Sequence, residues 1–290
     1  MIEDLKKQTY MGIDETTLQV LKEGDRKNQT KSYMWVFRGG EAGKPIILYQ
    51  YSETRNAEYL KKIMKGYEGS VQSDGYIVYE ALEEQKGITL AGCLAHARRD
   101  FFDAFKAGNE KGHAREALEY IGKLYLIERE AKGLNFDEIK KLRQERSKEI
   151  MDKFKVWLDQ KSIEIVPKGL LGKAIWYTIR QWEKLQVYLE DGRIQIDNNL
   201  VENTIRPFVL GRKNWLFAGS PRGAHSSALI YSLIETAKAN DLNPYWYLYY
   251  LFEKLPYAKS REDFRALLPY NIDKDILHKH FSLPVKPNSS

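Results

Sequence analysis

Residues 10–22 read YMGIDETTLQVLK and open a series of three extended segments that decides the fold. SYMWVFR follows at 32–38 and PIILYQY at 45–51, with glycine-containing, turn-forming stretches between them. Apolar and β-branched runs of this length, separated by turns, predict an antiparallel meander of three strands. Asp14 is predicted to end the first strand.

The segments that follow alternate helix and strand before turning wholly helical. A helix is predicted over 56–65, a short strand ends at Asp74, another covers 87–93, and a helix follows from Ala95. From about 114 to 190, apolar residues recur at steps of three and four, which is typical of packed helices. This order predicts an α/β fold with a ribonuclease-H-like mixed sheet. An α-helical insertion is expected between the fifth strand and the helix that carries Glu202, with further helices at the C-terminus.

These elements predict three parts. Residues 8–112 and 191–240 form the ribonuclease-H-like catalytic domain, 113–190 form the helical insertion, and 241–290 form a C-terminal helical element. The pair Asn243-Pro244 is expected to start one helix of that element, because Asn caps helices and Pro is tolerated in their first turn. Ser260 and Asp263 are expected to cap a short final helix.

Composition narrows the class of protein. The 290 residues carry a net charge of +6, which fits a nucleic-acid partner but also many soluble enzymes. The single cysteine, Cys93, excludes an internal disulfide and a cysteine-only zinc site. No run approaches the ~20 apolar residues of a membrane span, and residues 1–7 lack a signal-peptide core. A soluble cytoplasmic protein with no membrane partner is expected.

The stretch from Asp197 to Arg222 carries the strongest chemical signal. It reads DNNLVENTIRPFVLGRKNWLFAGSPR and places the acid Glu202 at a polar helix start among arginines, a lysine and a tryptophan. Such a setting suits a metal-dependent enzyme that acts on a polyanion, since the acid binds a cation while basic side chains bind phosphates.

Asp14 and Asp74 can complete an acidic site with Glu202. Strands one and four are neighbours in a ribonuclease-H-like sheet, and a helix packed on that sheet brings Glu202 over them. Three converging carboxylates repel one another unless divalent cations lie between them. Two Mg²⁺ ions ~3.5–4 Å apart would then clamp the attacking and leaving oxygens of a displacement at phosphorus.

Each acid also has a purely structural interpretation. Asp14 can simply end a strand, Asp74 lies in the turn sequence Ser-Asp-Gly-Tyr, and Glu202 can close a capping box begun by Asn199. The occurrence of all three, in order and on the appropriate elements, favours the catalytic interpretation.

Further candidates contact DNA or orient a phosphate. Arg206, Arg212, Lys213 and Arg222 flank Glu202, and Trp215 either stacks on a base or packs in the core. Cys93 and His96 form a Cys-x-x-His that is not a complete metal site. A buried thiol beside a helix-start histidine is favoured there, although His96 can orient a phosphate or a water. Arg98 and Arg99 follow, and such pairs more often solvate a helix than bind phosphate.

Six motifs in order resemble the insertion-sequence-66 family of bacterial DDE transposases, over about residues 8–256. They are DETTL at 14–18, SDGY at 73–76, CLAHARRDFF at 93–102, DNN with Glu202 at 197–202, RPFVLGRKNWLFAG at 206–219, and YSLIETAK at 231–238 with Asn243-Pro244-Tyr245.

The resemblance implies an Asp-Asp-Glu triad of Asp14, Asp74 and Glu202 that binds two Mg²⁺ or Mn²⁺ ions. It implies cleavage of DNA strands at transposon ends and attack of the freed 3′-hydroxyl on target DNA. Double-stranded DNA is the expected partner, with a homodimer or larger assembly on it, accessory proteins of the same element, and a nucleoid-associated location.

Family members also carry an N-terminal coiled-coil and cysteine-rich zinc-binding region. Because this sequence begins just before Asp14 and has one cysteine, it is expected to be the catalytic region without that part. Two alternatives stay open at this point. One is an inactive DNA-binding remnant of a truncated element, and the other is a ribonuclease-H-like nuclease that works outside transposition.

Overall fold

The computed structural model describes residues 1–24, 26–41, 43–108, 112–275 and 277. Within them lie five strands: β1 (Tyr10–Gln19), β2 (Lys31–Glu41), β3 (Lys44–Ser52), β4 (Gly69–Gln72) and β5 (Ile88–Ala91). The α-helices are α1 (Ile2–Leu5), α2 (Ala57–Met64), α3 (Leu94–Ala107), α4 (His113–Glu130), α5 (Phe136–Leu142), α6 (Lys148–Glu164), α7 (Leu170–Arg180), α8 (Trp182–Gln186), α9 (Asn199–Trp215), α10 (Pro221–Ala239), α11 (Pro244–Lys254) and α12 (Arg261–Ala266). A π-helical turn joins α5 to α6 at Arg143–Ser147, and 3₁₀ turns occur at Ile77–Leu82, Val187–Leu189, Leu255–Tyr257 and Pro269–Asn271.

The five strands form one mixed sheet in the order β3-β2-β1-β4-β5. β2 and β3 pair antiparallel, whereas β1, β4 and β5 run parallel to one another. The α/β class is therefore confirmed, as is the prediction that strands one and four are neighbours.

The predicted end of the first strand is wrong. β1 continues for ten residues to Gln19, so Asp14 lies in the middle of the strand. Aspartate is depleted in strands, so its occurrence in a sequence indicates that a strand has ended. The β-branched Thr16 and Thr17 and the buried Leu18 sustain the extended conformation beyond it.

The described chain divides into two compact units. One comprises Thr9–Asp14 and Asn56–Asn203, and the other comprises Met1–Gln8, Glu15–Arg55 and Thr204–Ser290. The predicted three-part division at 112/113, 190/191 and 240/241 stays a prediction. Residues 25, 42, 109–111, 276 and 278–290 of that division lie outside the described residues.

The first of these units has a core built from α3, α4, α6, α7 and the end of β5. Phe101, Ile121, Phe154 and Ile175 are all fully buried in it, together with Ala91. The helices predicted from the three-and-four spacing are thus present, and their apolar faces meet in a single core.

In the other unit, helix α10 covers the edge strand β3. Thr236 Oγ1 accepts a hydrogen bond from the Ile47 amide at 3.0 Å, and Ser232 Oγ accepts one from the Tyr49 amide at 2.8 Å. These bonds satisfy backbone groups that an edge strand would otherwise expose.

The helix caps predicted for the C-terminal part are confirmed. The Asn243 side chain accepts hydrogen bonds from two amides in the first turn of α11. Ser260 and Asp263 form a complete capping box at α12. No helix among the described residues combines the length and apolarity that crossing a membrane requires.

Candidate active site

Two of the predicted acids belong to neighbouring strands or their ends. The pairing of β1 with β4 ends with Gly12 opposite Gln72; Asp14 lies two residues further along β1, and Asp74 lies two residues beyond the end of β4. Both acids are half-buried. Successive side chains of a strand alternate between faces, so Asp14 shares the sheet face of Gly12.

The start of α9 covers that face. A Cβ atom added at Gly12 would lie 2.2 Å from Cγ2 of Val201 and 3.3 Å from Oδ1 of Asn198. Asn198 Nδ2 also donates a hydrogen bond to the Ile13 carbonyl at 3.1 Å. Glycine at position 12 therefore lets the helix start approach the backbone of β1 closely, immediately before Asp14. A glycine inside a strand is a signal for such an approach, which the sequence interpretation did not use.

Asp197 organises the turn that precedes α9. Its Oδ1 accepts a hydrogen bond from the Asn199 amide at 3.0 Å, and its Oδ2 accepts one from Asn199 Nδ2 at 2.8 Å. The Tyr125 hydroxyl donates to the same Oδ2 at 2.7 Å. Because Asp197 accepts from the Asn199 amide, the capping-box interpretation of Glu202 is wrong.

Glu202, in the first turn of α9, faces two basic side chains. Its Oε1 lies 3.8 Å from Nε2 of His96, and its Oε2 lies 3.9 Å from Nη2 of Arg99. These separations exceed hydrogen-bonding distance. Oε1 is buried and accepts no hydrogen bond, and Nδ1 of His96 is likewise buried without a hydrogen-bond partner. A buried carboxylate oxygen without a partner is costly and so is available to a cation.

Cys93 lies at the start of α3 beside this carboxylate. Its thiol is buried and accepts a hydrogen bond from the Asn198 amide at 3.1 Å, as expected for a buried thiol beside a helix-start histidine. Burial raises the pKa of the Cys93 thiol to about 12. Ligand atoms of Cys93, His96 and Glu202 all lie within 4.8 Å of one another. The sequence interpretation left this pair without a third ligand.

Asp74 follows β4 and adopts the turn that its sequence suggests. Its Oδ1 accepts a hydrogen bond from the Tyr76 amide at 2.9 Å, and its carbonyl accepts one from the Tyr177 hydroxyl at 2.9 Å. Asp14 and Asp74 are not members of the group formed by Cys93, His96 and Glu202 within the described chain. The triad of Asp14, Asp74 and Glu202 stays a prediction.

The donor set nevertheless fits hard divalent cations. Asp14, Asp74 and Glu202 offer only carboxylate oxygens, the donor type that Mg²⁺ and Mn²⁺ prefer. All three lie in the unit formed by Thr9–Asp14 and Asn56–Asn203. The unpartnered Oε1 of Glu202 is a coordination position that no protein donor fills.

The predicted phosphate-binding residues fall into two groups. The first group has side chains exposed to solvent and comprises Arg98, Arg99, Arg206, Lys213 and Arg222. By contrast, the half-buried Arg212 donates hydrogen bonds to the hydroxyls of Thr16 and Thr17, at 3.2 and 3.0 Å. Arg98 also lies 5.9 Å from the centre of the Phe102 ring. The half-buried Trp215 packs edge-on against Phe208, with ring centres 5.3 Å apart, which accords with the packing interpretation.

Sequence comparison identifies the family. The profile described as Transposase IS66 family matches residues 1–226, and that of the IS66 C-terminal element matches residues 232–270. The chain belongs to the IS66 family of transposases, as its motifs predict.

Three proteins of Sinorhizobium fredii are similar to this chain. The uncharacterized protein y4qI is 31% identical over 96% of this chain and 53% of its own length. The uncharacterized protein y4jD is 32% identical over 93% of this chain and 55% of its own length. The uncharacterized protein y4hP is 34% identical over 80% of this chain and 45% of its own length. The chain therefore spans about half the length of the curated relatives it matches.

Proposed function

We propose that this chain is a transposase catalytic region with a ribonuclease-H-like fold. It cleaves DNA strands at transposon ends and transfers the freed 3′-hydroxyl to target DNA. The observation that carries the proposal is the buried Oε1 of Glu202, which accepts no hydrogen bond at the start of α9. The bond from Asn198 to the Ile13 carbonyl holds that helix start against β1, directly before Asp14.

In this proposal Asp14, Asp74 and Glu202 hold two Mg²⁺ or Mn²⁺ ions. Bound there, such ions activate an attacking oxygen and stabilise the leaving oxygen at a phosphodiester. The parallel pairing of β1 with β4 supports a shared role for the two acids, because Asp14 lies on β1 and Asp74 follows β4. Arg99 offsets the charge of Glu202 before the ions bind, because its Nη2 lies 3.9 Å from Oε2 of Glu202.

The exposed basic residues bind DNA phosphates in this proposal. Arg98, Arg99, Arg206, Lys213 and Arg222 have side chains open to solvent. Each phosphate contact releases counterions from DNA, so binding weakens as salt rises. Double-stranded DNA is the partner, and a homodimer or larger assembly holds the two transposon ends together. Accessory proteins of the element and a cytoplasmic, nucleoid-associated location belong to the same proposal.

A nicking assay on supercoiled DNA tests the catalytic claim. We expect Mg²⁺- or Mn²⁺-dependent nicking by the purified chain and its loss in Asp74→Ala. Asp103→Ala is a matched control, because Asp103 is an exposed acid on α3. Nicking that persists in Asp74→Ala would reject the triad.

Two outcomes separate the alternatives. DNA retention without metal-dependent nicking would identify a binding remnant. Nicking without joining of a 3′-hydroxyl end to target DNA would identify a nuclease. Both assays use the same protein preparation, and the joining assay adds a DNA fragment with a labelled 3′-hydroxyl end to the supercoiled target.

A further inference from the structure

Three donor atoms of different chemical type meet beside Glu202. Cys93 offers sulfur, His96 an imidazole nitrogen and Glu202 a carboxylate oxygen, and these atoms all lie within 4.8 Å of one another. Oε1 of Glu202 and Nδ1 of His96 are both buried without a hydrogen-bond partner. Buried polar atoms of native proteins are almost always satisfied, so the unpartnered Oε1 of Glu202 points to a missing ligand.

The donor types select the class of ion. Mg²⁺ prefers oxygen ligands, whereas thiolate, imidazole and carboxylate together are the ligands of Zn²⁺. Zinc–ligand bonds of ~2.0–2.3 Å in a tetrahedron place ligand atoms roughly 3–4 Å apart. The 3.8 Å between Nε2 of His96 and Oε1 of Glu202 already falls in that range.

Burial raises the pKa of the free Cys93 thiol, whereas two local features favour the thiolate that a metal would bind. The Asn198 amide donates a hydrogen bond to its sulfur at 3.1 Å. Residues around a metal site that hydrogen-bond its ligands orient them and strengthen binding. Cys93 also precedes the first turn of α3, a helix of 14 residues, and a helix N-terminus favours negative charge.

We propose that Cys93, His96 and Glu202 bind one ion of the Zn²⁺ class, at a three-ligand site with an open fourth position. This site differs from the three carboxylates of Asp14, Asp74 and Glu202 proposed for Mg²⁺ or Mn²⁺, but both sites include Glu202. Zn²⁺ therefore withdraws Glu202 from the catalytic ions and inhibits nicking. The inhibition rests on the proposed function, whereas zinc binding does not.

Cobalt substitution tests the binding directly. Cys93 is the only cysteine of the chain, so a thiolate-to-Co²⁺ charge-transfer band in the near ultraviolet reports ligation by this residue alone. We expect the band to saturate at one Co²⁺ per chain and to vanish on addition of Zn²⁺. Absence of the band in the unmodified chain would overturn the proposal, independently of any variant.

Variants then assign the other ligands. Cys93→Ser should abolish the band. His96→Ala and Glu202→Gln should keep it but weaken Co²⁺ binding at least about tenfold, because loss of a residue that only supports a ligand already lowers metal affinity by about that factor. Asp103→Ala, at an exposed acid on α3, is the matched control and should bind Co²⁺ as the unmodified chain does. Unchanged affinity in both His96→Ala and Glu202→Gln would contradict the three-ligand site.

Nicking in Mg²⁺ with added Zn²⁺ tests the competition. We expect stoichiometric Zn²⁺ to suppress nicking and a chelator to restore it. A cobalt band together with nicking that is insensitive to Asp74→Ala would reject the proposed function and keep the zinc site. Nicking that is lost in Asp74→Ala, in a chain that shows no cobalt band, would reject the zinc site and keep the proposed function.

Discussion

Asn198 Nδ2 donates a hydrogen bond to the Ile13 carbonyl at 3.1 Å, and both residues are buried. The backbone amide of Asn198 donates at the same time to the sulfur of Cys93. One asparagine thus ties the start of α9 to the centre of β1 and to the start of α3. The carboxylate of Glu202 and the strand that carries Asp14 depend on this junction.

Replacing Asn198 should loosen the junction. Asn198→Ala leaves the Ile13 carbonyl buried without its donor, so we expect the free energy of unfolding to fall by about 1–3 kcal/mol. Metal-dependent nicking should fall as well. Chemical denaturation measures the first effect, and Asn203→Ala, at an exposed position in the same turn, is the control. Equal losses in the two variants would show that the buried bond contributes nothing.

The close approach at Gly12 should be sensitive to a single methyl group. Gly12→Ala places a carbon 2.2 Å from Cγ2 of Val201, and we expect a loss of about 1–3 kcal/mol from overpacking. The double variant Gly12→Ala/Val201→Ala should recover part of that loss, as thermal unfolding would show.

Gly122→Ala is the matched control for this substitution. A Cβ atom at Gly122, inside α4, meets nothing within 4 Å. Alanine there should stabilise the chain by roughly 0.5–1 kcal/mol through helix propensity. A Gly12→Ala variant as stable as the unmodified chain would contradict the packing of Val201 on β1.

Arg143 should be far more important for stability than its neighbour Arg146. Arg143 is buried, makes two hydrogen bonds to Glu128 at 2.8 and 2.7 Å, and donates to three carbonyls between Tyr188 and Ile194. Arg143→Ala leaves Glu128 without its partner, so a loss of about 3–5 kcal/mol is expected. The Arg146–Glu130 pair is half exposed, and Arg146→Ala should cost at most about 1 kcal/mol. Urea unfolding of both variants measures the difference, and similar midpoints would refute it.

Divalent ions should stabilise the chain through Glu202. A ligand that binds only the folded state stabilises it by about 2.7 kcal/mol at a concentration of 100 Kd. We expect Mn²⁺ to raise the melting temperature of the unmodified chain and to have little effect on Glu202→Gln. Without ions Glu202→Gln should melt no lower than the unmodified chain, because Oε1 accepts no hydrogen bond there. An equal Mn²⁺ response in both proteins would exclude Glu202 as a ligand.

Exposed and half-buried basic residues should behave differently on DNA. Lys213→Ala and Arg222→Ala should each reduce the slope of log affinity against log salt by about one, if each contacts a phosphate. Arg212→Ala should instead lower stability by about 1–3 kcal/mol, because Arg212 bonds to Thr16 and Thr17. Fluorescence anisotropy at several salt concentrations, paired with melting curves, separates the two effects. An unchanged salt slope in Lys213→Ala and Arg222→Ala would remove them from the DNA interface.

Much of the fold was predictable because its signals are local. Alternating apolar residues and turns mark the strands, steps of three and four mark the helices, and Asn243, Ser260 and Asp263 mark helix starts. The neighbouring positions of β1 and β4 follow from the order of these elements. The position of Asp14 within β1 is not predictable locally, because strand propensity disfavours aspartate, whereas a half-buried position in the sheet tolerates it.

The details of the candidate site were not predictable in this way. Asp197, rather than Glu202, accepts the hydrogen bond from the Asn199 amide. Helix α9 already begins at Asn199, whereas a capping box begun by Asn199 requires the helix to start one residue later. The sequence around Arg212 predicts a phosphate ligand. In the structure its guanidinium instead donates hydrogen bonds to Thr16 and Thr17, which precede it in the chain by 196 and 195 residues.

The sequence by itself determined the α/β class, the order of the elements and membership of the IS66 family. Periodicity, turn residues and motif order are all carried by residues near one another in the chain. Only the tertiary structure decided that Glu202 lies beside Cys93 and His96, with one carboxylate oxygen buried and unpartnered. The physical reason is that the contact of Asn198 with Cys93 spans 105 residues and forms only when helices and sheet pack together.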